Sequence, residues 1–118
     1  MSGREKPRIL CVSRSAYQLR AMRDAFPGRE YEVIAASTPE QAVAVCVSNH
    51  ISAVVLDSEL STESGWSAAR TLKMVNPHLR VMLLLKSADG TVPSGVDAVA
   101  PSYSHILPKL KDLLDPQK

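Results

Sequence analysis

The chain has 118 residues, 45% of them hydrophobic and 22% charged, with a formal net charge of +2. That length suits one compact domain with a single core, and that composition excludes wholesale disorder. So small a net charge makes no case for nucleic acid or a membrane surface, no apolar run approaches a membrane span, and the polar Met1–Arg8 stretch has no signal region, so a cytoplasmic protein is expected.

Taken in chain order, strand and helix patterns alternate. Residues 1–7 read as a polar tail, residues 8–115 as one domain and residues 116–118 as a second tail. Arg8 to Val12 is a short apolar run that suits a parallel strand covered on both faces. Ala16, Leu19, Met22 and Phe26 recur at helical spacing, and Pro27-Gly28 stops that helix. Tyr31 to Ala36 makes a second strand. Ser37-Thr38-Pro39-Glu40 predicts a helix start, with Ser37 as cap, Pro39 in the first turn and Glu40 reaching back as a capping box. That helix runs to about Ser48. Ile51 to Leu56 is the third strand, followed by a loop from Asp57 to Ser64 and a helix with Ala68, Ala69, Leu72 and Val75 inward, ended by Asn76-Pro77.

Val81 to Leu85 is the fourth and most apolar strand, and Ala98 to Ala100 a short fifth. Ile106, Leu107, Leu110, Leu113 and Leu114 form the inner face of a last helix, in which Pro108 is tolerable only close to the start. Five strands separated by helices predict an α/β doubly wound parallel sheet, because parallel neighbours need crossovers. Lys86 to Ser94 departs from the alternation. With Gly90 and Pro93 it is too short and too broken for a full helix, so helix four is expected to be missing or reduced.

Open α/β sheets place their ligands in the crevice beyond the carboxyl ends of the strands. Asp57 ends the apolar run Ser52-Ala53-Val54-Val55-Leu56 and belongs in that crevice. The first strand ends there too, and supplies Ser13 and Arg14. The two cysteines, Cys11 and Cys46, read as small buried hydrophobes and not as a disulfide or a metal pair. His50, His78 and His105 share no ligand spacing, which argues against a metal site. Arg14, Arg20 and Arg23 read as a solvated helix face, without the aromatic track a nucleic-acid partner would need. Trp66 reads as a packing residue and Glu59 as a solvated loop acid. No phosphate loop, dinucleotide fingerprint or nucleophile elbow is present, so nothing local supports an enzyme.

The residues nonetheless carry a resemblance. Ile9-Leu10-Cys11-Val12, Val54-Val55-Leu56-Asp57, Gly65 eight residues after that Asp, the strand Val81-Met82-Leu83-Leu84-Leu85 and Gly95-Val96-Asp97-Ala98-Val99 together resemble a receiver domain of the two-component response regulators, over roughly Arg8 to Leu114. The resemblance implies the flavodoxin-like receiver fold, with strand order 2-1-3-4-5, and a place in phosphorelay signalling, where a histidine kinase or phosphotransfer protein phosphorylates an Asp that matches Asp57. It implies Mg²⁺ as well, but the acidic pair that would hold the ion aligns with Ser13 and Arg14. The family's switch hydroxyl aligns with Ser87 or, on another gapping, Leu85. Its lysine aligns with Ser102 or Ala100, and the proline after that lysine with Tyr103 or Pro101.

A phosphoryl group approaching a carboxylate needs its charge offset, and Mg²⁺ supplies several kcal/mol by doing so. Its loss should slow phosphorylation by roughly two to four orders of magnitude. The expectation is a degenerate, stand-alone pocket of Asp57, Ser13, Arg14, Ser87 and Ser102 with no cofactor, in which Arg14 takes the place of the metal and pairs with Asp57. Such a module acts by binding a protein partner, as a monomer or weak dimer, with no nucleic acid, no membrane and no attached output domain. Three other readings stay open: a working phosphoacceptor that uses Mg²⁺, a strand-end carboxylate that accepts only loop N–H bonds, and an Arg14 that points to solvent at the start of helix one.

Overall fold

The computed structural model describes residues 6–57, 66–84 and 95–114, with backbone only at 66–68. Five strands form one parallel sheet, β1 (Arg8–Val12), β2 (Glu32–Ala36), β3 (Ala53–Asp57), β4 (Arg80–Leu84) and β5 (Ala98–Ala100), in the order β2-β1-β3-β4-β5. Four α-helices accompany them among the described residues: α1 (Ala16–Asp24), α2 (Pro39–Ser48), α3 (Trp66–Val75) and α4 (Ile106–Leu114). This is the doubly wound architecture expected from the alternation, with four of the fold's usual five helices among the described residues. The segment Lys86 to Ser94, on which the reduced helix was expected, lies outside the described residues.

Alternation along the strands divides the core in two. Leu10, Val12, Val54, Leu56, Val81 and Leu83 face α2 and α3, where Ala42, Ala69 and Leu72 are buried with them. Ile9, Cys11, Ala53, Val55, Met82, Leu84 and Ala100 face α1 and α4, meeting Met22, Ile106 and Leu110. Both faces of the central strands are covered, which is why their sequences read as unbroken apolar runs.

The helices depart from expectation in detail. On α1 the buried residues are Gln18 and Met22, while Ala16 is exposed. Leu19 packs at the margin, and Phe26 lies past the helix end but inside the core. The cap of α2 is Thr38 and not Ser37: its side chain accepts the Gln41 N–H at 3.1 Å, and Gln41 Oε1 accepts from the Ser37 N–H at 2.8 Å and the Ser37 hydroxyl at 3.0 Å. The capping box is therefore displaced by one residue, with Gln41 doing what was assigned to Glu40. Pro39 sits in the first turn as expected, where its missing N–H costs nothing. On α3, Ala69 and Leu72 are buried, whereas Val75, the last residue of the helix, is 39% exposed. A 3-10 turn (Tyr103–His105) leads into α4, so Pro108 falls within the first turn, where an intrahelical donor is not required.

Candidate functional site

The register of the sheet assembles the site. Val12 of β1 pairs with Leu56 of β3, so the next residues, Ser13 and Asp57, stand abreast at the carboxyl end. Asp57 pairs with Leu84 of β4, and Leu84 with Ala100 of β5. The layer at the crevice thus reads Ser13, Asp57, Leu84, Ala100 across four strands. Ser13 follows the parity of Ile9 and Cys11, and Asp57 that of Ala53 and Val55, so both side chains belong to the α1/α4 face.

They meet there. The Ser13 hydroxyl donates to Asp57 Oδ2 at 2.7 Å, a length typical of a hydroxyl on a carboxylate. Both are buried, Ser13 completely and Asp57 at 3% exposure. Ser13 Oγ also accepts the Ser15 N–H at 3.0 Å, and its own N–H reaches the Ala36 carbonyl at 3.2 Å. Its single proton is thereby committed to the carboxylate. Ser15 in turn caps α1, accepting the Gln18 N–H at 3.2 Å. The Gln18 side chain is held from the far end of the chain: the Tyr103 hydroxyl donates to its Oε1 at 3.2 Å. A run of contacts therefore joins Asp57 and Ser13 on the sheet, the first turn of α1, and the connection between β5 and α4.

Arg14 is not part of this constellation. Its side chain is exposed, and among the described residues no ion pair joins it to Asp57. The expected metal-mimicking pair is corrected on two grounds. Neighbouring side chains at a strand end diverge, so the parity that aims Ser13 at Asp57 aims Arg14 away, and an exposed guanidinium keeps its hydration at no cost. Ser102 is also turned aside. It lies two residues past Ala100, and its hydroxyl is 3.0 Å from Ser104 Oγ and 2.8 Å from His105 Nδ1 in the turn before α4. Ser87, its alternative Leu85, Glu59 and Gly65 lie outside the described residues, as does the side chain of Trp66.

Sequence reasoning missed Gln18 and the part Tyr103 plays. The signal for Gln18 was available: it precedes the buried Met22 by four residues and so shares its helix face. Cys11 and Cys46 are free thiols, as expected, the first buried within β1 and the second half-buried on α2. Burial pushes the Cys11 thiol up to about 12, opposed by the nearby Arg23 guanidinium.

The sequence matches no protein-family model and no curated protein. Solved structures do match. A response regulator from Thermotoga maritima is 19% identical, with a TM-score of 0.82 over 94% of this chain and 99% of that one. A CheY-like response regulator receiver domain from Methanospirillum hungatei JF-1 is 21% identical, with a TM-score of 0.82 over 96% and 97% of the two chains. The signal receiver domain of an HD domain-containing protein from Pseudomonas fluorescens Pf-5 is 17% identical, with a TM-score of 0.83 over 99% and 93%. The likeness covers nearly the whole chain, and the fold is that of the response regulator receiver domains.

That fold raises the question of Mg²⁺, which takes about six oxygen ligands in a tight octahedron. At the carboxyl ends of the described strands the donors are one carboxylate and one hydroxyl, and the hydroxyl spends its proton on the carboxylate. Among the described residues no three acidic, histidine or cysteine side chains gather to hold a metal. Among the described residues this donor set does not complete such an octahedron. No helix is long and apolar enough to cross a membrane among the described residues.

Proposed function

We propose that this chain is a receiver-type signalling module that works by associating with a protein partner, in the class of histidine kinases or phosphotransfer proteins, and whose Mg²⁺-dependent phosphorylation on Asp57 is weak or absent. It is not an enzyme in its own right and needs no cofactor. The observation that carries this reading is the 2.7 Å bond from Ser13 to Asp57, where a metal-binding carboxylate would otherwise stand. A neutral hydroxyl in place of a metal-binding carboxylate offsets little of the charge of an incoming phosphoryl group, so Mg²⁺-dependent transfer loses much of its electrostatic help. Asp57 keeps the position of a phosphoacceptor, so the competing reading is a working one.

Intact-mass measurement separates the two. After incubation with acetyl phosphate and Mg²⁺, the native chain should show no Asp57-dependent phosphoryl adduct. The substitution Ser13→Asp sets a second carboxylate beside Asp57, and should gain both a Mg²⁺-dependent shift in stability and an adduct that Asp57→Ala abolishes. A stoichiometric adduct on the unmodified chain would establish the phosphoacceptor reading instead.

A further inference from the structure

At the opposite end of the sheet from Asp57, the molecule carries a second surface with a defined chemistry. The end of α1, the turn that follows it and the edge strand β2 enclose a cleft of about 360 Å³, lined by Arg20, Arg23, Asp24, Phe26, Tyr31 and Val33. Phe26, Tyr31 and Val33 supply its apolar lining. Phe26 and Tyr31 are packed ring to ring, with centroids 5.5 Å apart and planes inclined at 59°, and Val33 shares the parity that faces α1. The turn at Gly28 is open, with nothing within 4 Å of the position a Cβ would take. Its carbonyl is held by the Lys6 ammonium at 2.9 Å, which places a third cation at the rim.

The wall is basic, and its charge is unspent. Arg20 and Arg23 lie three residues apart on one face of α1 and are both exposed. Among the described residues neither forms an ion pair, and Asp24, although four residues after Arg20, does not engage it. A solvated helix face accounts for unpaired arginines, but not for their position around a cleft that two aromatic rings help to line. Guanidinium groups at the margin of a small hydrophobic pocket form the arrangement in which protein interfaces concentrate binding energy: an anchor side chain in the recess and charge complementarity around it.

We infer that this cleft is a docking site for an acidic protein segment bearing one bulky apolar side chain, which enters the recess while flanking carboxylates meet Arg20 and Arg23. A protein segment is favoured over nucleic acid because the cleft carries a single pair of packed rings, with no further aromatic steps among the described residues for successive bases. The inference rests on the reading that the chain acts by association, and it gives that association a surface remote from Asp57.

The test uses the full chain and a fluorescein-labelled peptide with a single tryptophan flanked by glutamates, followed by fluorescence anisotropy and by amide shifts in NMR. Saturable binding is expected, with the largest shifts in residues 20–33, and affinity should fall as salt shortens the screening length. Arg20→Ala combined with Arg23→Ala alters exposed side chains only, so the fold is retained, as circular dichroism will show, and affinity should drop at least tenfold. A peptide with tryptophan replaced by alanine should bind at least tenfold more weakly.

Absence of binding at millimolar peptide would overturn the inference, as would shifts that map elsewhere or an affinity indifferent to the double substitution. A single-stranded oligonucleotide that displaces the peptide at equal concentration would overturn the choice of partner. None of these outcomes touches the phosphoryl-adduct measurement, so the two proposals fail separately.

Discussion

The Ser13–Asp57 bond makes a quantitative demand that a double-mutant cycle can meet. Ser13→Ala removes a hydroxyl that donates to a buried carboxylate at 2.7 Å and accepts the Ser15 N–H at 3.0 Å. A hydrogen bond to a charged group is worth about 1.5–3 kcal/mol and a neutral one about 0.5–1 kcal/mol, so the substitution should cost about 2–4 kcal/mol. With an unfolding entropy of about 2.1 cal/mol/K per residue, each kcal/mol lowers the midpoint of a chain this size by about 4 °C, and the expected drop is about 8–16 °C. The assay is thermal and urea denaturation of the native chain, Ser13→Ala, Asp57→Ala and the double substitution. Whatever else either residue touches cancels in the cycle, leaving their mutual coupling. That coupling should be about 1.5–3 kcal/mol. Additivity to within about 0.5 kcal/mol would refute the claim that the two side chains share a committed proton.

Three further outcomes are expected. Tyr103→Phe deletes the donor to Gln18 Oε1 at 3.2 Å, and should lower stability by about 1 kcal/mol in the same denaturation assay while speeding amide exchange in the first turn of α1. Gly95 has φ +89°, and a Cβ there would stand 3.3 Å from Arg70 Cγ, so Gly95→Ala should cost about 1–2 kcal/mol or more by thermal melting. Burial raises the Cys11 thiol from 9.0 to about 12, so the folded state keeps its proton where the unfolded chain loses it. Stability from this group is present below pH 9.0 and lost as the pH rises toward about 12; Cys11→Val should flatten that alkaline decline, and a thiol reagent should label Cys46 well before Cys11.

Much of this protein is local. The apolar runs at Arg8–Val12 and Ala98–Ala100 coincide with β1 and β5, and the other strands shift by a residue or two, because a strand buried on both faces must be apolar throughout, and that shows without knowledge of its partners. Asp57 was legible for the same reason: it is the first acid after such a run, and strand ends are where a doubly wound sheet leaves room. The displaced cap at Thr38 marks the limit of local reading, since Ser37 and Thr38 are chemically equal candidates and only backbone geometry chooses between them.

The neighbours of Asp57 were decided elsewhere. The sequence alone offered Arg14 as the partner of Asp57. The parallel register that pairs Val12 with Leu56, together with strand parity, turned Ser13 toward the acid and Arg14 to water. The tie between Gln18 and Tyr103 spans 85 residues of chain, and the cleft at Arg20 and Arg23 needs α1, the turn after it and β2 together. A hydrophobic period is set by each segment's own burial and can be read residue by residue. Which polar groups meet depends on how independently formed elements are stacked, a long-range free-energy balance that no single segment of the chain encodes.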